Sequence, residues 1–249
     1  MDSDAVSMES CIVQKFTELR KLDDNEIELL ASLERDLTGY AGGERLQHVG
    51  EEASRFFTLH SGWACAVRVL ADGQRQILDI FLPGQVMGLR EMGFDKTHAE
   101  LVAVTNVEAC PFPRSRLKEL FAEAPRLGEL FFIVMAREQA MLTERMISIG
   151  RRPALQRLAH FLLEFQVRLG SPEDGFELPL NQAVIGDALG LSAVHVSRTL
   201  TALRKRDLVA SDNGRICIVD VDRLAELAEF ERGYLDCRPR CGGSGAASP

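Results

Sequence analysis

Hydrophobic positions divide the chain into helical and extended regions. Apolar residues recur at helical spacing over residues 12–38, whereas from residue 40 to residue 112 they form short runs separated by turns. Six strands are predicted, at residues 54–60, 63–70, 75–81, 86–89, 99–104 and 106–112. The turns between them contain Ser61-Gly62, Ala71-Asp72-Gly73 and Leu82-Pro83-Gly84. Many short strands at close spacing are typical of a β-sandwich or a β-barrel.

A long helix is predicted after the strands. The helical pattern returns over residues 114–149 with an interruption at Pro125, and its longer part, residues 126–149, carries a wide apolar stripe. Such a stripe predicts contact with the protein's own barrel on one side and with a partner helix on the other. The core helix of a monomer is the alternative interpretation. The predicted dimer contacts are Leu127, Leu130, Phe131, Val134, Met141 and Ile147.

Two short helices with a tight joint are predicted near the C-terminus. A helix over residues 153–169 and a strand over residues 176–180 come first. Asn181 then caps one helix, Gly190 ends it with a left-handed backbone, and Ser192 caps the next. This spacing is typical of a helix-turn-helix, in which the second helix lies in the major groove of DNA.

The second helix predicts a DNA-binding surface. Its inward side consists of Val196, Leu200 and Leu203, and residues 208–219 follow as two strands joined by Asp212-Asn213-Gly214, which predicts a wing. The side chains predicted to contact DNA, from the outward side and the helix starts, are Gln182, Ser192, Ala193, Val194, His195, Ser197, Arg198, Thr201 and Lys205.

Charge supports this interpretation once it is counted locally. The net charge is -8, but residues 1–150 carry 24 acidic and 16 basic side chains, whereas residues 151–249 carry 13 of each. Residues 192–206 contain Arg198, Arg204, Lys205 and Arg206 and no acid, so a basic stripe follows the second helix. A solvated helix face is the alternative explanation of this stripe.

Several classes of protein are disfavoured by composition. The acidic start lacks a secretory signal, and no apolar run reaches the roughly 18 residues of a membrane helix, so a cytoplasmic protein without a membrane partner is expected. The chain has no glycine-rich phosphate loop, HExxH or GxSxG motif, and we therefore expect no enzyme.

The residues from Leu178 to Arg206 resemble the Crp/Fnr superfamily of transcription regulators, and in particular its FixK/Fnr-like branch. The barrel region agrees at Leu59-His-Ser-Gly-Trp-Ala, Asp72-Gly-Gln-Arg-Gln-Ile-Leu and Leu82-Pro-Gly-Gln-Val-Met-Gly-Leu. The resemblance extends over residues 15–230. It implies an α+β protein with a cyclic-nucleotide-binding-like β-barrel (jelly roll), a long dimerisation helix and a winged helix-turn-helix. It also implies a homodimer that binds a pseudo-palindromic operator on double-stranded DNA and contacts RNA polymerase.

This resemblance divides the chain into four parts. The segment Gly150-Arg151-Arg152-Pro153 is the main boundary, because proline suits the first turn of a new helix. The parts are N-terminal helices with the sensor barrel (1–113), the dimerisation helix (114–150), the DNA-binding domain (151–236) and a disordered tail rich in Gly, Ser and Ala (237–249).

The barrel lacks the family's cyclic-AMP signature. Family members that bind cyclic AMP carry Gly-Glu and Arg-Ser pairs, and the matching stretches here are Gly88-Leu89 and Thr97-His98. Cyclic-AMP binding is therefore not expected. Whether Arg90, Glu91 and His98 contact a different anion or are solvated loop residues stays open.

No cofactor is assigned to the barrel. Cys110 matches the late cysteine of the family's iron–sulfur members, but the N-terminal segment offers only Cys11. The haem candidates (His48, His60, His98 and Cys65) lack diagnostic spacing, and a redox role for Cys237 and Cys241 stays open. The signal, whether redox, gas or metabolite, is unassigned.

A DNA-binding transcription factor is the function that the sequence predicts, as an activator or a repressor. An effector-binding barrel protein that acts through protein partners is the alternative. By resemblance Arg198 contacts a guanine, Ser197 a base or phosphate, and Ser192 and Gln182 phosphates. Val194 replaces the family's glutamate, which predicts an altered half-site.

Overall fold

The N-terminal helices begin at well-formed caps. The computed structural model describes residues 10–236 except Ser171, Glu173 and Asn213, so the predicted tail at 237–249 lies outside the described residues. Helix α1 (Cys11–Thr17) starts at Ser10, and α2 (Asp24–Ala31) starts at Asp23, whose carboxylate and that of Glu26 form a reciprocal capping box. A 3-10 turn (Ser32–Glu34) ends this region, earlier than the predicted end at residue 38.

Eight strands form the barrel as two four-stranded antiparallel sheets. The strands are β1 (Thr38–Tyr40), β2 (Arg45–Gln47), β3 (Arg55–Ser61), β4 (Ala64–Val69), β5 (Arg75–Phe81), β6 (Val86–Met87), β7 (Glu100–Ala103) and β8 (Val107–Pro113). Their orders are β1-β8-β3-β6 and β2-β7-β4-β5. The predicted barrel and its α+β class are confirmed. Strands β1 and β2 were not predicted, and Leu89 belongs to a 3-10 turn (Leu89–Gly93) rather than to a strand.

The long helix packs on the N-terminal helices. Helix α3 (Arg114–Glu123) leads into α4 (Pro125–Arg151). The rings of Phe131 and Phe16 lie 4.8 Å apart between their centroids, and Leu127 and Leu130 are buried in the same cluster. No described helix has both the length and the apolar character needed to cross a bilayer.

Four predicted dimer contacts lie in the core of the single chain. Leu127, Leu130, Phe131 and Met141 are buried there, so they offer no surface to a partner. Val134 is half-buried against the same core and Ile147 is exposed. The prediction was wrong for Leu127, Leu130 and Phe131 because α1 and α2 cover that part of α4, and helical periodicity does not reveal this cover. Met141 is also buried within the single chain.

The C-terminal domain has three helices, a small sheet and a closing helix. Its elements are α5 (Ala154–Arg168), β9 (Phe176–Glu177), α6 (Gln182–Leu189), α7 (Ala193–Arg204), β10 (Val209–Asp212), β11 (Arg215–Ile218) and α8 (Val221–Ala228). A 3-10 turn (Arg232–Leu235) follows, and the sheet order is β10-β11-β9. One apolar cluster joins this domain to β4 and β5, with Trp63 of the barrel stacked on Phe165 at 5.3 Å between ring centroids.

Candidate nucleic-acid interface

The joint between α6 and α7 depends on two glycines. Gly190 has a left-handed backbone, with φ 64° and ψ 40°. A Cβ atom on Gly186 would lie 2.4 Å from the carbonyl oxygen of Leu191, so only glycine allows the chain to turn this closely. The Asn181 side chain accepts hydrogen bonds from the backbone N–H groups of Ala183 and Val184 at 3.0 and 2.9 Å. The helix-turn-helix geometry is therefore built by local chemistry.

Helix α7 packs through one side. Its cap, Ser192, accepts a hydrogen bond from the backbone N–H of His195 at 3.2 Å. Val196 and Leu203 are buried, and Leu200 packs against the same core. Thr199 is also buried, which the sequence did not predict. Its hydroxyl is satisfied because it donates to the carbonyl of His195 at 2.7 Å. Since these side chains hold one side of α7 inward, its other side faces solvent.

The predicted DNA contacts lie at the surface. Val194 is 60% exposed, so its side chain is accessible from solvent. Ser192, Val194, His195 and Arg198 line one shallow groove. The other exposed members of the set are Gln182, Thr201 and Lys205, whereas Ala193 and Ser197 are half-buried.

The electrostatics of α7 suit a polyanion. The N-terminal end of a helix carries partial positive charge, and Ser192 lies there. Arg204, Lys205 and Arg206 are exposed at the opposite end. Among the residues that the structure describes, no carboxylate forms an ion pair with Arg198 or Lys205, so both cations are available to a ligand.

A hairpin completes the surface. Strands β10 and β11 pair in antiparallel register from Val209 opposite Ile218 to Asp212 opposite Arg215, which is the predicted wing. Gly214 has φ 84°, as the predicted turn requires, while Asn213 is not described. A short recognition helix with an adjacent hairpin can contact the major groove and the flanking backbone of a duplex.

Comparisons with known proteins agree with this geometry. Residues 37–124 match the cyclic nucleotide-binding domain family and residues 156–227 match the Crp-like helix-turn-helix domain family. The nitrogen fixation regulation protein FixK of Rhizobium meliloti is 31% identical and aligns over 76% of this chain and 85% of its own length. This chain belongs to the Crp/Fnr family. Like the other members of that family, it is a DNA-binding transcription regulator.

A second relative and a solved structure extend the match. FixK of Bradyrhizobium diazoefficiens is 28% identical over 88% of this chain and 92% of its own length. The structure of FixK2 from Bradyrhizobium japonicum superposes with a TM-score of 0.71 at 28% identity and covers 77% of this chain and 96% of that one. The order of barrel, long helix and winged helix is thus that of the Crp/Fnr family.

The barrel encloses a cavity of about 230 Å³ beside α4. At the stretches that match the cyclic-AMP signature, Leu89 is buried, and Thr97 donates a hydrogen bond to the carbonyl of His48 at 2.6 Å. His98 Nδ1 lies 3.0 Å from a carboxylate oxygen of Glu91, and Arg90 is paired with Asp79. These polar groups therefore already have partners within the chain.

Two cysteines of the barrel, Cys65 and Cys110, are buried, and Cys11 of α1 is half-buried. Burial raises the pKa of the Cys65 thiol to about 11, and burial together with Glu34 raises that of Cys110 to about 11. Cys11 donates to the carbonyl of His60 at 3.4 Å. Within residues 10–236, as far as they are described, no three His, Cys, Asp or Glu side chains are arranged to hold a metal ion. Because their pKa values lie well above 7, Cys65 and Cys110 are thiols at neutral pH.

A set of buried ionisable side chains between the barrel and the DNA-binding domain was not predicted from the sequence. Asp79, Glu138 and Glu164 are buried, as is Arg168, and Arg145 is almost fully covered. No sequence signal marks these residues, because each partner comes from a distant part of the chain.

Proposed function

We propose that this Crp/Fnr regulator acts as a homodimer that joins through the exposed side of α4. One observation carries the proposal: Phe132 is 78% exposed, Met146 is 68% exposed and Ile147 is 43% exposed on the same helix. Ala136, Gln139 and Thr143 are exposed between them, so the exposed positions 132, 136, 139, 143 and 146 alternate in steps of four and three. That spacing is typical of a two-helix seam.

Two recognition helices related by a two-fold axis fit a pseudo-palindromic operator. Its half-sites are then separated by about one turn of the duplex, roughly 10 base pairs from centre to centre. In each half-site Arg198 contacts a guanine, and Val194 packs on a thymine methyl group. Gln182 and Ser192 contact phosphates, and Lys205 contributes a phosphate contact without sequence preference. The exposure of these five side chains supports this assignment.

The same proposal assigns a role to the barrel in sensing a signal and to the protein in activating transcription at a promoter. The cavity beside α4 is the site at which a signal acts, and the winged helix responds. Relatives carry the names "Nitrogen fixation regulation protein FixK" and "Transcriptional activator protein FnrA", which supports activation through a contact with RNA polymerase. The parts of the chain are the barrel with its helices (1–113), the dimerisation helix (114–150) and the DNA-binding domain (151–236).

A gel-shift selection tests the dimeric operator. Fragments of genomic DNA are incubated with the full chain, the shifted bands are sequenced, and the mass of the complex is measured by analytical ultracentrifugation. The proposal predicts two protomers per fragment and a motif with two-fold symmetry. A monomer that binds single half-sites at full affinity would contradict it.

A further inference from the structure

Four buried charged side chains connect the barrel to the DNA-binding domain. Arg145 of α4 donates to Asp79 of β5 at 2.9 Å through one nitrogen and to Glu164 of α5 at 3.1 Å through the other. It also donates to the carbonyl of Leu78 at 2.7 Å. A single guanidinium thus binds a carboxylate in each domain.

Arg168 makes a second connection across the same boundary. It donates from α5 to the backbone carbonyl of Ile80 and, at 3.1 Å, to the side chain of Gln85, both in the barrel. It also pairs with Glu164 at 3.3 Å. Tyr234, beyond the last helix, donates its hydroxyl to Glu164 at 3.3 Å.

Burial makes these contacts sensitive to geometry. Burial alone would raise the pKa of Asp79 and of Glu164, but the neighbouring arginines, Arg145 first, hold both pKa values below their usual range. Both acids are therefore charged, and a buried charge is tolerated only while its partners stay within hydrogen-bond distance. A tilt between the domains would separate these charges from their partners, which costs free energy.

Contacts between the barrel and the DNA-binding domain also reach α6, the helix that precedes the recognition helix α7. Arg75 of β5 lies 3.5 Å from Asp187 of α6, and Gln76 donates to the carbonyl of Ala188 at 3.4 Å. Helix α6 leads directly into α7 through the joint at Gly190. A change in the angle between barrel and α6 hence moves α7 as well.

We propose that Asp79, Arg145, Glu164 and Arg168 are positioning residues for DNA binding. They hold the DNA-binding domain at one angle to the barrel and α4, and this angle determines the distance between the two recognition helices of a dimer. The last step rests on the proposed dimeric operator. None of the four side chains belongs to the DNA-facing set.

The variant Arg145→Met tests this inference, because it removes the direct link between Asp79 and Glu164, while the contacts of Arg168 with the barrel remain. Asp79 keeps its ion pair with Arg90 and Glu164 keeps Arg168, so neither carboxylate is left without a cation. The control is Arg45→Met, which removes a solvent-exposed ion pair of 2.9 Å between Arg45 and Glu100, both of the barrel. Circular dichroism and sedimentation check the fold and the oligomeric state of both variants.

The first measurement uses Trp63, the one tryptophan of the chain, which stacks on Phe165 across the boundary. In Arg145→Met we expect its emission to shift to longer wavelength and acrylamide quenching to rise about twofold, as local opening exposes the ring. The control stays at the wild-type values. Unchanged emission and quenching in Arg145→Met overturn the inference.

The second measurement uses selected operators whose half-site separation is changed one base pair at a time. We expect Arg145→Met to bind a single half-site with the affinity of wild type. Its affinity for the full operator at the preferred half-site separation should be about tenfold lower, which is the size of a typical coupling between distant sites. Equal loss on half-site and full operator would mean damage within the DNA-binding domain and would overturn the inference.

Two further cases are covered by the design: a variant that does not fold, and a wild-type protein without a preferred half-site separation. If Arg145→Met does not fold, Arg145→Lys replaces it, because lysine keeps the charge but lacks the fork that reaches both carboxylates. Wild-type Trp63 quenching in a folded Arg145→Lys then overturns the inference. If the wild-type protein shows no preferred separation, the dimeric operator fails, and the Trp63 measurement still decides whether these residues position the domain.

Discussion

Two glycines within helices illustrate opposite roles of the same residue. Gly186 in α6 faces the Leu191 carbonyl, which a Cβ atom would approach to 2.4 Å, whereas a Cβ atom on Gly128 in α4 would lie 3.7 Å from the Phe121 ring. Gly128→Ala should raise the free energy of unfolding by about 0.5–1 kcal/mol, because alanine loses less backbone entropy on folding. Gly186→Ala should lower it by about 1–3 kcal/mol through overpacking. Urea denaturation measures both; two changes of the same sign would contradict the close turn.

Glu138 predicts how stability depends on pH. Burial, and then the nearby Asp79, raises the pKa of Glu138 from 4.5 to about 8. Between these values the folded chain retains a proton that the unfolded chain releases, so this group makes stability fall as pH rises from about 4.5 to about 8. The slope is at most about 1.4 kcal/mol per pH unit.

Replacing this carboxyl isolates its contribution. Glu138→Gln cannot titrate, so its free energy of unfolding should fall less than that of wild type between pH 5 and pH 8 (about the window of the raised pKa). Chemical denaturation at several pH values measures the difference. Parallel curves for the two proteins would show that Glu138 titrates normally.

At the scale of elements, α4 presents two faces with different tasks. Phe131 is 2% exposed and packs against Phe16, whereas its neighbour Phe132 is 78% exposed. Phe131→Ala should cost about 3–5 kcal/mol of protomer stability because it leaves a cavity. Phe132→Ala should leave the unfolding of the protomer within about 0.5 kcal/mol, as for a surface position, but weaken the dimer.

Sedimentation equilibrium and denaturation separate these effects. Because the partner adds stability to a dimer, the unfolding of Phe132→Ala is compared with wild type at protein concentrations where both are monomeric. A Phe132→Ala protein that dimerises as tightly as wild type would remove Phe132 from the interface. Phe131→Ala and Phe132→Ala remove the same side-chain atoms at adjacent positions, so a difference between the two variants comes from the surroundings of each ring.

Local chemistry explains which elements were predictable. Asn181, Gly190 and Ser192 are caps and a turn that act on their own neighbours, so the bounds of α6 and α7 could be predicted. Strands β1 and β2 have three residues each and little apolar pattern, and they were missed. Leu127, Leu130 and Phe131 were wrongly assigned to the dimer side of α4 because the helices that cover them come from a distant part of the chain.

At the scale of the whole molecule, contacts between domains could not be predicted. Trp63 and Phe165 are apolar residues of separate segments, and nothing in either segment indicates that the rings stack. The same holds for Arg145, which looks like a solvent-exposed arginine in the sequence but binds Asp79 and Glu164. The winged helix was predictable from its own residues, whereas its position against the barrel required the structure.

We expect α7 to lie in the major groove and to contact bases through Arg198 and Val194. Binding-site selection from random DNA on wild type, Arg198→Ala and Val194→Glu tests this expectation most directly, with Lys205→Ala as the control. Arg198→Ala should cost about 1–3 kcal/mol on the wild-type site and relax preference at one G·C pair. Val194→Glu should move preference toward a cytosine, since glutamate accepts a hydrogen bond from its amino group.

Lys205→Ala should select the wild-type motif and weaken all sequences alike, with a shallower dependence on salt, because it removes only a phosphate contact. We therefore expect three different motifs from wild type, Arg198→Ala and Val194→Glu. Three identical motifs would contradict the placement of α7 in the major groove, because α7 would then not contact the bases.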